Sequence, residues 1–589
     1  MSNADSTTQG FADRVQSFVT ENKRAILIGT ALAVAAGGVA LYASASSPPK
    51  SPGDKKDRRK KSVKPRPNDV ESGSVIEEIP VENQPNFGVL TKEQLETMPS
   101  EERVKLAAAL KKKGNDHYQK DSFEQAAEFY TRAINVSPTE EPVYYSNRGA
   151  CYMNMKPPQF DLIIEDCDKA IALNKDYVKA INRRANALEA LDRLEEALRD
   201  YTTATILDGF QNEKAAQAVE RVLKKLSSAK AAEIIKTRDP HLPAYTFISA
   251  YFSAFRTRPL PPLPEEPTIA DNALISALNA LQVADYTHSW SFVMGALEEG
   301  LSNDTLKAEA LNLRGTFKFL INDVKGAEED LLESIKLIPS FAQSWVKIAS
   351  VYMEQGNPER TFEAFEEAIK HNPNDPDIYY HRGQVHFIMN DFKQAAANYN
   401  KSTLLDDQFV FSHIQLAVAQ YKEGQIANSM ATFRKTLKAF PERSEPPNYY
   451  GELLLDQGRF QDAIDKFDRA IELEKTKTRQ NVLPMVNKGL ALFQWKQDIG
   501  AAEKCCQEAL EIDPECEAAV ATLAQLSLQQ SKIDTAVELF KRQLELARSE
   551  PELANTLTYM YASIAQKTFL ENYPERKQAF SAMAQAMVP

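Results

Sequence analysis

Apolar positions along the chain fall into three regimes. Residues 25–43 (AILIGTALAVAAGGVALYA) carry no charge over nineteen residues. As a helix that run would span about 28 Å, close to the roughly 30 Å hydrocarbon core of a bilayer. Residues 44–98 mix Pro, Ser, Lys and acids with little apolar pattern and read as a disordered tether. From there on, small residues recur at a set offset, with an aromatic four residues later and often a proline eight beyond that. Gly114, Ala126, Tyr130, Ala133 and Pro138 form one such set. Gly315, Ala327, Leu331 and Pro339 form another, followed by Trp345, Phe365, Ala368 and Pro373, and by Gly383, Ala395 and Tyr399. Phe365, Tyr399, Phe433 and Phe467 are spaced 34 residues apart, as are Cys506 and Phe540. Such a period predicts pairs of antiparallel helices, A and B, in which small residues allow close approach and the aromatic fills the gap to the neighbour.

This is the tetratricopeptide pattern, and it predicts an all-α solenoid of about eleven repeats in two arrays, with one N-terminal transmembrane helix. Three repeats lie in 107–208, with an insertion at Pro157-Pro158 in the second; eight lie in roughly 270–548, the first of them poorly matched. The expected division is a short tail (1–24), an anchor (25–43), a basic tether (44–98) and a first array (99–211). A capping helix and Pro-rich connector follow (212–268), then a second array (269–548) and C-terminal capping helices (549–589). The connector holds an aromatic run (Tyr245, Phe247, Tyr251, Phe252, Phe255) and the segment RPLPPLPEEP. That proline run reads as a stiff spacer between arrays, with docking to an SH3-type groove as the alternative.

Charge orients the anchor. Residues 50–66 hold nine Lys/Arg against two acids, a local +7 on a chain of net charge −12. Lys/Arg-rich flanks stay cytosolic, so residues 44–589 are expected in the cytosol. Ala43-Ser44-Ala45 imitates a signal-peptidase site, but the uncharged run exceeds the usual h-region of roughly 7–15 residues. The acidic body argues against a nucleic-acid partner, which needs a cationic face. Five cysteines are too few and odd in number for a disulfide framework, which points to a reducing compartment. Gly29, Ala33 and Gly37 make a small-residue stripe on the anchor.

Catalytic motifs are missing. There is no phosphate-binding glycine loop, G-x-S-x-G elbow or H-E-x-x-H. His381 and His386 would point about 140° apart on a helix and do not suggest a metal site. Cys505 and Cys506 read as small packing residues. Roughly 40 residues after the last repeat are too few for a catalytic domain. A binding protein is expected: not an enzyme, with no cofactor and no metal.

The expected site is the concave groove lined by the A helices. In the first array its positions hold Lys111, Asn115, Asn147, Lys179 and Arg183. Lys111/Asn115 and Lys179/Arg183 are each one helical turn apart. Three cations and two amides in one groove suit a peptide carrying two carboxylates. The segments L-K-K-K-G-N (110–115), Y-S-N-R (145–148) and K-A-I-N-R (179–183) resemble the dicarboxylate clamp of tetratricopeptide co-chaperones. The resemblance implies that these five residues grip the C-terminal Asp of cytosolic heat-shock chaperones of the 70- and 90-kDa classes.

The order of anchor, clamp, connector (DPHLPAYTFISAYFSAF, 239–255) and eight-unit second array resembles the family of 70-kDa import receptors of the mitochondrial outer-membrane translocase. That resemblance implies a single-pass outer-membrane receptor for precursors with internal targeting signals, especially multi-span carriers, working with other translocase subunits. In the second array the inferred lining positions are Phe319, Val346, Tyr380, Phe387, Ile414, Val418 and Tyr421. They suggest an apolar groove for unfolded, partly basic client segments. Rival readings are a co-chaperone anchored on another organelle, an enzyme using repeats for substrate recognition, and a lumenal array with glycans at Asn303 or Asn400.

Overall fold

A computed structural model of the chain describes residues 92–209 and 211–577. The expected anchor, tail and most of the tether lie outside them. Among the described residues all regular structure is helical, and no helix is long and apolar enough to cross a membrane.

A short helix α1 (Lys92–Thr97) precedes three hairpins: α2 (Ser100–Gln119) with α3 (Phe123–Val136), α4 (Pro142–Asn154) with α5 (Phe160–Leu173), and α6 (Val178–Ala190) with α7 (Leu194–Leu207). Helices α8 (Glu213–Thr237) and α9 (Tyr245–Ser253) follow. Eight further hairpins come next: α10 (Ile269–Gln282) and α11 (Tyr286–Glu299), α12 (Asp304–Leu320) and α13 (Val324–Leu337), α14 (Ala342–Glu354) and α15 (Pro358–His371), α16 (Pro376–Ile388) and α17 (Phe392–Leu405). The last four are α18 (Val410–Lys422) and α19 (Ile426–Ala439), α20 (Glu445–Asp456) and α21 (Phe460–Glu474), α22 (Leu483–Lys496) and α23 (Ile499–Ile512), α24 (Glu517–Gln529) and α25 (Ile533–Leu546). One long helix, α26 (Glu550–Asn572), and a 3₁₀ turn close the described chain. The eleven expected repeats are all present.

Local chemistry explains why each hairpin turns where it does. Between A and B of every repeat but the second stands a residue of positive φ: Asp121, Asp192, Ala284, Asn322, Gly356, Asn390, Gly424, Gly458, Gln497 and Ser531. A left-handed residue ends a helix by turning its last carbonyls back onto following amides. The second repeat turns instead through Met155-Lys156-Pro157-Pro158. Side chains of Asp285, Asp323, Asn357, Asp391 and Asp498 then accept an amide of the B helix they precede, satisfying one of its orphan donors.

Packing follows the 34-residue pattern. Tyr130, Phe365, Tyr399, Phe433, Phe467 and Phe540 are all at most 2% exposed. The glycine of helix A is their counterpart: a Cβ on Gly383 would sit 2.9 Å from the Tyr399 ring, and one on Gly451 only 2.6 Å from Phe467. A second, polar tie joins A to B. Arg148 makes a bidentate pair with Asp166, Arg184 with Asp200 and Arg314 with Asp330, at 2.6–2.9 Å. Arg382 bonds Asn398 in the same place.

The chain groups into two compact units: residues 227–563, and, of the residues described, 92–226 with 564–577. In the smaller unit, Arg221 and Lys225 of α8 pair with Glu189 and Asp192 of the third repeat. There too Lys175 pairs with Glu575 at 2.6 Å, and the Tyr573 hydroxyl donates to the Lys175 carbonyl. In the larger unit, Ala231 of α8 is buried with Ala547, Leu553 and Leu557.

Candidate peptide-binding grooves

Helix α2 buries Leu106, Ala107, Leu110 and Gly114, which leaves Lys111 and Asn115 half-buried on the adjoining stripe. The Tyr130 hydroxyl, arriving from α3, donates to Asn115 Oδ1 at 2.6 Å, and the Asn147 amide of α4 acts on the same hydroxyl. Burial pushes the Tyr130 phenol well above its ordinary range, so it stays a neutral donor. Arg183 reaches back from α6 to α4, where its Nη1 donates to the Ser146 carbonyl at 2.9 Å and to the Ser146 hydroxyl. Its charge also acts on Tyr130. Asn115, Asn147 and Arg183, from three successive A helices, are therefore gathered around one phenol.

Lys111 and Lys179 lie one turn from Asn115 and Arg183 on their helices. Neither has an ion-pair partner among the described residues, and Lys179 is exposed. Contrast the neighbouring Arg148 and Arg184, each committed to a buried carboxylate. Adjacent residues on one helix thus divide the work: Arg184 ties A to B while Arg183 ties its A helix to the preceding one at Ser146. Sequence reasoning missed two supports of this arrangement. Tyr130 was read only as a packing aromatic, and Ser146, inside the Y-S-N-R run, fixes the Arg183 guanidinium.

The second array departs from expectation. Within the expected connector 239–255, Tyr245 to Phe255 pack inside the larger unit, and Arg256 and Arg258 just beyond it do the same. Arg548 lies 3.4 Å over the Phe247 ring and Arg479 lies 4.6 Å over Tyr245, while Thr246 bonds Asp513. Ile248, Tyr251 and Ala254 are at most 2% exposed. Phe255 stacks on His381 at 4.2 Å, and the Lys347 ammonium lies 5.3 Å from the centre of its ring. Arg256 meets Asp377 at 2.8 Å, Asp375 at 2.7 Å and Asp406 at 3.5 Å, and Arg258 meets Glu309 at 2.5 Å.

This insertion corrects the expected lining. Val346, Tyr380 and Ile414 are fully buried and cannot face a client. Their A helices are covered on more sides than a hollow groove allows; in α14 alone Gln343, Ser344, Val346, Lys347 and Ile348 are all buried. Phe319, Phe387, Val418 and Tyr421 are half-buried, Phe319 against Tyr251 and Tyr421 with its hydroxyl on Asp456. A cavity of about 510 Å³ opens here, and its border is not the apolar trough expected. Arg256, Arg258, Lys347, Arg443, Glu309 and Asp406 all border it, because the connector's own aromatic residues occupy the apolar wall.

Burial governs the titratable groups here. It pulls the Lys347 ammonium down to about 7, with the Arg258 charge helping, while Asn312 accepts its Nζ–H at 2.6 Å. It pushes Asp377 up to about 6, and Glu452, whose Oε1 accepts from Asn448 and Asn487, up to about 7. His381 is driven down to about 3 and stays neutral. The five cysteines are free, and among the described residues no His/Cys/Asp/Glu group is arranged to hold a metal.

Comparison with known proteins places this architecture. Tetratricopeptide-repeat family models match residues 349–389, 376–409 and 414–476. The human mitochondrial import receptor subunit TOM70 is 32% identical over 494 residues, 79% of this chain and 80% of its own. The Saccharomyces cerevisiae TOM70 is 29% identical over 506 residues, 80% of this chain and 81% of its own. The crystal structure of yeast Tom70 superimposes with a TM-score of 0.52 at 30% identity, covering 81% of this chain and 99% of that one. With two tetratricopeptide arrays, eleven repeats and this extent of identity, the chain belongs to the Tom70 family of mitochondrial import receptor subunits.

Proposed function

We propose that the chain is a receptor of the mitochondrial outer membrane, anchored by residues 25–43, with most of its length in the cytosol. Its first groove grips the acidic C-terminal tail of cytosolic heat-shock chaperones of the 70- and 90-kDa classes. Its second array receives precursor proteins with internal targeting signals, multi-span carriers among them, and passes them to other translocase subunits. No bond is made or broken, and no cofactor or nucleic acid takes part.

The observation that supports this reading most is the convergence of Asn115, Asn147 and Arg183 on Tyr130, one helical turn from two lysines that have no ion-pair partner among the described residues. The amides donate to carboxylate oxygens, and Lys111, Lys179 and Arg183 supply charge-assisted hydrogen bonds to an α-carboxylate and a side-chain carboxylate. Docking the chaperone raises the local concentration of its client near the second array, so two modest affinities act together. There the client meets the mixed cavity and the half-buried Phe319, Phe387, Val418 and Tyr421.

The test is a titration with a fluorescent peptide ending in Asp. Lys179→Ala and Arg183→Ala are each expected to weaken it about tenfold or more, the scale of a lost charged hydrogen bond, with the helical circular-dichroism signal unchanged. Parental affinity in both variants would remove the clamp assignment.

A further inference from the structure

Residues 256–264 form neither helix nor strand, and from 258 onward their burial repeats every three residues. Arg258, Pro261 and Pro264 are half-buried, while the pairs between them, Pro259-Leu260 and Pro262-Leu263, are exposed. A repeat of three is that of a polyproline II helix, which turns once every three residues. One edge of this helix is therefore laid against the larger unit, while the other two look outward, Pro259 and Leu260 at the rim of the cavity and Pro262 and Leu263 beyond it. The laid-down edge is held at its start by Arg258, which pairs with Glu309 and sits 4.8 Å over the Phe341 ring. Just beyond its end, Thr268 and Asp271 cap α10 reciprocally, fixing where the chain re-enters the fold.

On the solvent side the segment presents an apolar ridge. Leu260 and Leu263 are 38% and 39% exposed, three residues apart on one edge, with Pro259 and Pro262 on the next. Glu265 and Glu266 follow, exposed and without an ion-pair partner among the described residues. A polyproline helix held in place has already lost most of its freedom, so a groove that fits it meets little ordering cost.

We propose that residues 259–266 are a docking ridge for a domain with an aromatic-lined polyproline groove that carries cationic side chains where it meets Glu265 and Glu266. The ridge is read through its leucines and prolines and through the acids after them. Arg258 is not part of the readout, because Glu309 and Phe341 occupy it. That distinguishes the partner from grooves of the SH3 type, which orient such ligands by pairing an acidic wall with the arginine. The assignment is independent of tail binding in the first groove.

The test uses the full chain in detergent, titrated into two isotope-labelled probes: a WW domain of the proline-leucine-reading kind with a basic flank, and an arginine-reading SH3 domain. The WW domain is expected to bind, with shifts at its groove tryptophan. Pro262→Ala/Leu263→Ala, both exposed and away from the cavity, should weaken it about tenfold or more. Glu265→Lys/Glu266→Lys should weaken it less and flatten its salt dependence. Arg258→Ala removes the anchor of the held edge without touching the ridge, so it should weaken WW binding by less than the Pro262/Leu263 change. Absence of WW binding, or equal binding to the Pro262/Leu263 variant, overturns the proposal. So does SH3 binding that disappears in Arg258→Ala, since that mode requires the laid-down edge to peel away.

Discussion

The two arrays share one scaffold and differ in what stands inside it. Both join A to B by an Arg–carboxylate pair, as in Arg184–Asp200 and Arg314–Asp330, and both set a helix A glycine against the helix B aromatic. In the first array Lys111 and Lys179 lack ion-pair partners among the described residues. In the second, the chain's own segment lies along the A helices and its cations are spent internally, Arg256 on Asp375, Asp377 and Asp406, Arg258 on Glu309. The repeat thus specifies curvature and stacking, whereas the ligand chemistry of each groove depends on which cations are left unpaired. A groove can be filled from within without altering a single hairpin.

Breaking that internal filling should have the largest effect. Arg256→Ala strands Asp377, which is 1% exposed, beside Asp375, and removal of one partner from such a cluster costs about 3 kcal/mol. Hydrogen exchange should rise across residues 245–258 and α16, with protection in α2–α7 unchanged. Equal protection in parent and variant would mean the connector is held by its aromatic contacts alone.

A smaller effect is expected where the first groove is only loosened. Ser146 is fully buried and its hydroxyl accepts from Arg183, so Ser146→Ala frees the guanidinium on one side while the carbonyl bond remains. Tail-peptide affinity should drop about threefold, in line with one hydrogen bond of roughly 0.5–1 kcal/mol. Thermal stability of the larger unit should not move. If affinity were unchanged, the Ser146 carbonyl by itself would suffice to aim Arg183.

The effect least tied to either groove concerns Glu452 of α20. Glu452 is 9% exposed with Oε2 unpartnered, and burial raises it from 4.5 to about 7. Between those values the folded chain holds more protons than the unfolded one, so this group's contribution to stability declines as pH rises from about 4.5 to 7. Glu452→Gln keeps an oxygen for Asn448 and Asn487 and removes the titration. The variant should melt roughly 2–4 °C higher at pH 8 and match the parent near pH 4. A variant melting lower at pH 8 would show that the carboxylate is needed in its charged form.

Much of the fold was legible in the sequence because its determinants are local and periodic. The spacing of Phe365, Tyr399, Phe433 and Phe467 encodes hairpins whose two helices are neighbours in sequence, so eleven repeats could be counted before any coordinate. The meeting of Asn115, Asn147 and Arg183 around Tyr130 follows from the same local period, since each comes from an A helix and those helices recur once per repeat. Val346, Tyr380 and Ile414 misled because an A helix presents similar apolar residues to its neighbours and to a hollow. Only the occupant of the hollow tells the two apart.

That occupant was settled by tertiary structure alone. Phe255 meets His381 across 126 positions and Arg256 meets Asp406 across 150, separations that leave no period to read. The sequence by itself determined how many hairpins form and how neighbouring ones stack, since both depend on residues within about one repeat. Which segment fills the second array, and which edge of RPLPPLP faces water, were decided by burial of the aromatic run against helices far along the chain. Such choices rest on the free energy of removing large apolar surfaces from water, and only the assembled fold says which surfaces are within reach.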